Sequence, residues 1–246
     1  MAYSRVLNLR VVARDLVMYC SPALIISGEE LILVDCGTPG IISNLSEAFE
    51  MEGFKLSDLT KVIITHHDHD HYGSLAELKR LVPQIKVIAS PIEAPYIEGF
   101  IKSLRLQKSE ALYDTYPPER KVWADGFHSY LASIEPVKVD VLVNDGDCID
   151  TAGDIVIVAT PGHMPGHISV YVKGDKTLVS GDALIAEKGV LKIANPQYSL
   201  DSVMARESAI NLLNFDIERI ICYHGGLVKG DIKAALKAII KTDEEA

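Results

Sequence analysis

The chain has no long apolar run, no extended basic cluster and no cysteine pair at chelating spacing, and each absence removes a class of function. A membrane-spanning helix needs roughly 18 apolar residues in a row, and no stretch here comes near that. Arg5, Arg10, Arg14 and Asp15 break up the N-terminus, so the apolar core of a signal peptide cannot be drawn there. Lys and Arg run no further than two in succession, as at Arg120-Lys121, and the formal net charge is −10. Phosphate backbones and anionic lipid both require a cationic face, so neither nucleic acid nor membrane is expected as a partner. Cys20, Cys36, Cys148 and Cys222 lie far apart with no CxxC spacing. They read as buried thiols in a reducing compartment, which implies a cytoplasmic protein without a disulfide framework. A GxSxG elbow, a P-loop and a dinucleotide fingerprint are missing too, so nothing suggests a serine nucleophile or a nucleotide cofactor.

What is present is the balance of a globular chain: 246 residues, 48% hydrophobic and 24% charged. Only the polar, acidic end from Thr242 to Ala246 reads as disordered. Val6 to Val12, Leu24 to Ser27 and Leu31 to Val34 have strand character, the last two joined by Gly28-Glu29-Glu30. Ile41, Ile42, Leu45, Ala48 and Phe49 follow helical spacing, closed by Gly53. Val62 to Ile64 is a buried-type strand, Ser74 is placed to cap a helix through Leu75, Leu78 and Leu81, and Lys86 to Ala89 is a strand again. Strands resume at Val137 to Val143, Ile155 to Thr160, Ile168 to Val172, Thr177 to Ser180 and Arg219 to Tyr223, with helices over Asp201 to Asn214 and Asp231 to Lys241. Strands and helices thus alternate in two batches of similar size. One layered α/β (α+β) domain over residues 1–246 is expected, with the proline-punctuated, helical and aromatic-rich stretch 90–136 inserted over its face.

The chemistry concentrates at strand ends. His66, His67, Asp68, His69, Asp70 and His71 are six consecutive ligand-type side chains that follow the apolar strand Val62 to Ile64. Imidazole and carboxylate together are what Zn²⁺, Fe²⁺ or Mn²⁺ bind. A loop this short cannot close two metal sites alone. Three further candidates follow apolar strands in the same way: His163 in Thr160-Pro161-Gly162-His163, Asp182 in Ser180-Gly181-Asp182, and His224 in Tyr223-His224-Gly225-Gly226. The flanking glycines are expected to let backbone approach a small ion closely.

In this order, a His/Asp loop, a TPGHxxGH segment, a GD pair and a late HG, the chain resembles the metallo-β-lactamase superfamily from Asp35 to His224. The resemblance implies a four-layer βα/αβ sandwich with a dinuclear site at one edge. By position, His66 and His163 match ligands of the first ion; Asp70, His71 and His224 match those of the second; Asp182 matches the bridging carboxylate. Asp35 is expected to organise the loops by hydrogen bonds, and His167 to hold the His163 turn without itself ligating an ion. The family's common loop is HxHxDH, and here Asp68 stands where the second His usually does. Asp68 is therefore expected to ligate the first ion, giving a site with three carboxylates; a weakened first site or a single ion is the alternative. Two ions are implied, Zn²⁺ foremost, with Fe²⁺ or Mn²⁺ favoured by the added oxygen ligand. The implied nucleophile is a hydroxide bridging the ions, oriented by Asp70, which also carries a proton to the leaving group.

The substrate class implied is a small thioester, ester or lactone. Motifs similar to glyoxalase II come without that family's C-terminal glutathione-binding region, since only 22 residues follow His224. Quorum-sensing lactonases carry a Tyr where this chain has Ile185, which puts that role in doubt. A mononuclear iron protein like the persulfide dioxygenases and a non-hydrolytic metal-binding relative remain alternatives. Tyr96, Phe100, Tyr113, Tyr116, Trp123 and Phe127 are expected either to form an apolar lid over a small-molecule substrate or to pack the segment, in place or in a homodimer. Tyr198 and Tyr223 are candidate hydrogen-bond donors to that substrate.

Overall fold

The computed structural model describes residues 1–13, 16–149 and 153–242. Arg14, Asp15 and residues 243–246 of the acidic tail lie outside the described residues. The first half contains β1 (Tyr3–Val6), β2 (Leu9–Ala13), β3 (Leu16–Cys20), β4 (Ala23–Ser27), β5 (Glu30–Val34), α1 (Ile42–Met51), β6 (Lys61–Ile63), α2 (His69–Tyr72), α3 (Leu75–Leu81) and β7 (Lys86–Ala89). Three helices follow, α4 (Ala94–Ile97), α5 (Leu104–Ala111) and α6 (Pro118–Ala132). The second half contains β8 (Val141–Leu142), β9 (Ile155–Ala159), β10 (Ile168–Val172), β11 (Thr177–Gly181), β12 (Leu184–Glu187), β13 (Val190–Ile193), α7 (Ser202–Asn211), β14 (Arg219–Cys222), β15 (Gly226–Lys229) and α8 (Ile232–Thr242).

Two sheets form, in the orders β1-β4-β5-β6-β7-β8 and β15-β14-β11-β10-β9, and period-two alternation places them face to face. In β4 and β5, Ile25, Ile32 and Val34 face a cluster shared with Ile157, Val170 and Val179 of the second sheet. Their neighbours Leu24, Leu31 and Leu33 face outward onto Leu45 and Phe49 of α1 and Leu75 and Leu78 of α3. The second sheet does the same, with Leu178 and Ile220 turned onto Leu212 and onto Ile232 and Leu236 of α8. Each sheet is therefore buried on both faces, which gives the expected helix–sheet–sheet–helix layering.

Local expectations fare unevenly. The single strand Val6 to Val12 is two, because the chain leaves the sheet edge at Leu7, whose N–H donates to the Pro22 carbonyl (2.8 Å), and enters the β2–β3 hairpin. Of Val137 to Val143, only Val141–Leu142 pairs as a strand. The Asp140 carboxylate takes the Val87 N–H (3.0 Å) that a ladder carbonyl would otherwise take. Ser74 precedes α3 without capping it; its hydroxyl donates to the Thr38 carbonyl (2.6 Å) instead. The unexpected hairpin β12–β13 turns through Lys188 and Gly189, both at positive φ, as a two-residue turn between right-twisted strands requires.

Candidate metal centre

Every sequence-chosen ligand arrives at one end of the two sheets. The His/Asp loop follows β6 of the first sheet, while His163, Asp182 and His224 follow β9, β11 and β14 of the second. The loop is shaped by Asp35, a buried non-glycine residue held at φ 61° just after β5. That left-handed conformation is disfavoured for L residues and survives only where the surroundings impose it. Here the Asp35 carboxylate accepts the Thr65 N–H (2.9 Å), the Thr65 hydroxyl (2.8 Å) and His71 Nδ1 (2.8 Å). The expected organising role of Asp35 is what these bonds describe.

The bonds also fix tautomers. The Thr65 hydroxyl has one hydrogen and gives it to Asp35, so toward His66 Nδ1 (3.0 Å) it is the acceptor. His66 thus carries its proton on Nδ1 and turns the Nε2 lone pair inward, while His71 donates from Nδ1 to Asp35 and turns Nε2 the same way; burial lowers the His71 pKa, but Asp182, Asp35 and Asp70 raise it well above that of a free imidazole, so a cation at its Nε2 would replace a proton. Both Nε2 atoms are buried without a hydrogen-bond partner, as is Asp182 Oδ1. Buried polar atoms are nearly always satisfied, and these three converge within 4.8 Å of one another. Three orphaned nitrogen and oxygen donors around one point fit a divalent cation.

The donors separate into two groups that share Asp182. His66, Asp68 and His163 form one, and Asp70, His71 and His224 the other. Asp182 lies 3.5 Å from His71, 3.5 Å from His163 and 3.6 Å from His224, so it faces both groups. Burial alone would raise its pKa; the charges of His71 and His224 outweigh that and hold the carboxyl well below its usual range. Asp70 is lowered against the same burial by His71 and by its hydrogen bond with His224 Nε2 at 3.2 Å.

His167 does more than expected. Burial first, then His66 and His163, keeps its pKa far below that of a free imidazole. Its Nε2 accepts the Asp182 N–H (3.0 Å), while its Nδ1 meets the Thr160 hydroxyl (2.9 Å) and its backbone bonds Thr160 (3.0 Å) and Met164 (3.3 Å), so it positions Asp182 as well as closing the turn that carries His163. The glycines serve a different purpose from the one expected. A Cβ on Gly225 would stand 1.9 Å from the Ala186 carbonyl oxygen, and one on Gly181 2.7 Å from His167 Nε2. They make room for neighbouring protein.

Tyr223 is not available to a substrate, for it is 2% exposed and its hydroxyl donates to the Asp70 carbonyl. Tyr198 is 57% exposed. The six aromatics of the 90–136 segment do not act together. Tyr96 stacks on His67 (4.1 Å), and Phe127 meets His69 edge-on (6.0 Å). Trp123 stacks on Phe127 (5.0 Å), Tyr113 and Tyr116 face Lys121 and Arg120, and Phe100 is 80% exposed. Cys20, Cys36 and Cys222 are buried, whereas Cys148 is exposed because it lies at the sheet margin beyond β8.

Two residues of the centre carry no motif. Arg105, on α5, binds Asp68 through Nε, 2.9 Å from each carboxylate oxygen, and through Nη2, 2.6 Å from Oδ2. Glu93, fully buried, accepts the His67 N–H (2.9 Å) and bonds His67 Nδ1. Only the unassigned His67 beside the ligands hinted that a buried acid must answer it.

Residues 16–224 match the sequence profile of the metallo-β-lactamase superfamily. The chain belongs to that superfamily. Among its relatives, the probable metallo-hydrolase YflN of Bacillus subtilis is 28% identical, over 80% of this chain and 76% of that protein. A hydroxyacylglutathione hydrolase of Photobacterium profundum is 27% identical over 65% of this chain, which spans 44% of that longer protein. The metallo-β-lactamase family protein TTHA1429 of Thermus thermophilus superposes with a TM-score of 0.70 at 20% identity, over 98% of this chain and 79% of the other. The superfamily protein ST1585 of Sulfolobus tokodaii gives 0.65 at 21% identity, over 97% and 85%. At such identities the structural likeness concerns the fold, which is that of the metallo-β-lactamases. Superfamily membership and metallo-hydrolase relatives make this chain an enzyme of the hydrolase type with a metal-binding site. Among the described residues no helix is long and apolar enough to cross a membrane.

Proposed function

We propose that the protein hydrolyses a small thioester, ester or lactone at a centre that holds two divalent ions when fully loaded. His66, Asp68 and His163 would hold the first and Asp70, His71 and His224 the second, with Asp182 between them. The observation that carries this reading is the convergence of the unpartnered His66 Nε2, His71 Nε2 and Asp182 Oδ1. When bound, such ions lower the pKa of water and polarise the carbonyl under attack, Zn²⁺ being the first choice and Fe²⁺ or Mn²⁺ suiting the three carboxylates.

The chain's own residues do the rest. Asp70 and His224 have side chains 32% and 41% exposed, so substrate reaches the centre from their side. Asp70 is held ionised by His71 and His224, and is the acid–base residue of this reading: it accepts the proton of the attacking water and returns it to the leaving group. Tyr223, donating to the Asp70 carbonyl, fixes the backbone from which that carboxylate projects. Asp35 holds the His71 ring with Nε2 toward the centre. Helices α4 to α6 serve as a cover of one domain, and Phe127 and Tyr130, both packed on His69, offer the nearest apolar surface for a substrate's acyl group. A small-molecule substrate and a cytoplasmic location complete the reading, and the net charge of −10 supports independence from nucleic acid and anionic membrane.

The test is elemental analysis of protein purified without added metal, followed by an ester, thioester and lactone panel. Two Zn or Mn per chain with turnover of a panel member is expected; metal-replete protein inert to the whole panel overturns the reading. A second reading, a mononuclear iron protein with oxygen chemistry, draws support from Arg105, whose hold on Asp68 favours one ion. One Fe per chain with oxygen uptake would replace the hydrolase by that reading.

A further inference from the structure

The two ligand groups are not equally free. Each keeps one Nε2 without a partner, His66 or His71, and each has a His–Asp contact, His163–Asp68 at 3.1 Å and His224–Asp70 at 3.2 Å, but only in the first does a guanidinium enter, with Arg105 Nη2 3.0 Å from His163 Nε2. An imidazole nitrogen has one lone pair, and a guanidinium can only donate. If His163 Nε2 accepts from Arg105, its lone pair is occupied; if it carries a hydrogen toward Asp68, it has none to offer. In neither case can it ligate an ion while Arg105 stays where it is. Asp68 Oδ2, the other donor of that group, already accepts from both Nε and Nη2 of Arg105.

Arg105 is held in place from behind. The N–H of its neighbour Leu104 donates to His67 Nε2 (3.2 Å), and His67 is fixed through Nδ1 by Glu93 and by stacking on Tyr96. Glu93 also accepts the Gly166 N–H (2.8 Å), three residues beyond His163. The start of α5 is thereby tied to both loops that supply the first group, and its Arg105 side chain is only 14% exposed.

We propose that Arg105 is a resident cation of the first metal position: it excludes an ion from His163 and Asp68, so the second position fills first and the first fills only when the guanidinium is displaced. This rests on the metallohydrolase reading, and deepens it by making the two ions inequivalent. A monovalent guanidinium already neutralises the third carboxylate, which in its absence would draw a divalent ion.

The experiment is a Zn²⁺ titration of the full, chelator-stripped chain, with bound metal counted by calorimetry and elemental analysis. The wild-type chain should bind one equivalent tightly and a second at least about 10-fold more weakly, and Arg105→Met should tighten that second equivalent by about 10- to 100-fold, since it leaves the buried Asp68 carboxylate without its guanidinium. Should Arg105→Met fold poorly, His224→Ala in the wild-type background reads the same point: with the second position crippled and Arg105 in place, no tight equivalent should remain. Two equal equivalents in the wild type, or a tight equivalent surviving His224→Ala, overturn the role of Arg105 and leave the hydrolase reading intact. A wild-type chain that binds no Zn²⁺ overturns both.

Discussion

The two halves of the centre are built from the same side chains but stand in opposite circumstances. Around His66, Asp68 and His163 everything is buried, and a helix from outside the sheets delivers Arg105 into the group. Around Asp70, His71 and His224 the outer residues are open to solvent, and support comes from the sheet scaffold itself, through Asp35 and Tyr223. A donor set alone does not make a metal site, because free lone pairs are also required. Each half keeps one imidazole Nε2 free, His66 or His71, and each has a His–Asp contact, but only in the closed half does a guanidinium occupy the carboxylate and the second imidazole.

Mutations can test how independent these halves are. The largest effect should come from Asp182→Asn, which touches both: metal content and kcat/KM on any panel substrate should fall by more than the about 100-fold that outer-sphere changes reach, while circular dichroism stays native. Turnover retained within tenfold would mean that Asp182 does not join the halves. Next, Asp35→Asn removes the acceptor that aims His71, and should weaken the tightly held Zn²⁺ by about 10- to 100-fold. If the weaker equivalent suffers instead, the assignment of halves is reversed.

A smaller effect is expected from Glu93→Gln, which loosens the closed half only. Burial raises the Glu93 pKa, but the hydrogen bonds from His67 outweigh it and leave it lowered from 4.5. A lowered carboxyl contributes stability that is complete above its unfolded value and lost as pH falls through its folded one. The variant should be about 1–3 kcal/mol less stable at neutral pH, and urea melts should show the gap closing as the pH drops below 4.5. A gap independent of pH would show that Glu93 is not ionised in this pair. Tyr223→Phe removes one hydrogen bond from the open half and should cost about 0.5–1.5 kcal/mol in thermal melts. Smallest of all, Trp123→Ala on the half-exposed face of α6 should change stability by no more than about 0.5 kcal/mol and leave metal binding unaltered.

The convergence of these donors was legible because of where they stand. A His or Asp directly after an apolar strand is placed by the strand, and the parallel run β5-β6-β7 carries such residues to one edge whatever the loops do. Asp35, though it follows β5 in the same way, revealed its role only through Thr65 and His71, since a hydrogen-bond network has no spacing in the sequence. Arg105 is harder still. It is one arginine in the polar helix Leu104–Ala111, and nothing in the helix's pattern distinguishes it from a solvated charge. What singles it out is the anchoring of Leu104 by His67, a contact across 37 positions of chain. The hairpin β12–β13 was readable from Lys188-Gly189 but masked by short apolar flanks, and its Ala186 N–H turns out to hold the His224 carbonyl (2.9 Å).

The donors of the centre come from both sheets, four from the loop after β6 and three from the ends of β9, β11 and β14. Between His66 and His224 runs most of the chain, and the cysteines that could have tied it are unpaired. A cation clasped by both sets would tie the ends of that stretch together in the folded chain alone, and whatever binds the folded chain and not the unfolded one stabilises it by mass action. The centre is therefore also a reversible cross-link: stripping it with a chelator should part the two sheets at that edge first and lower the melting temperature of the whole protein.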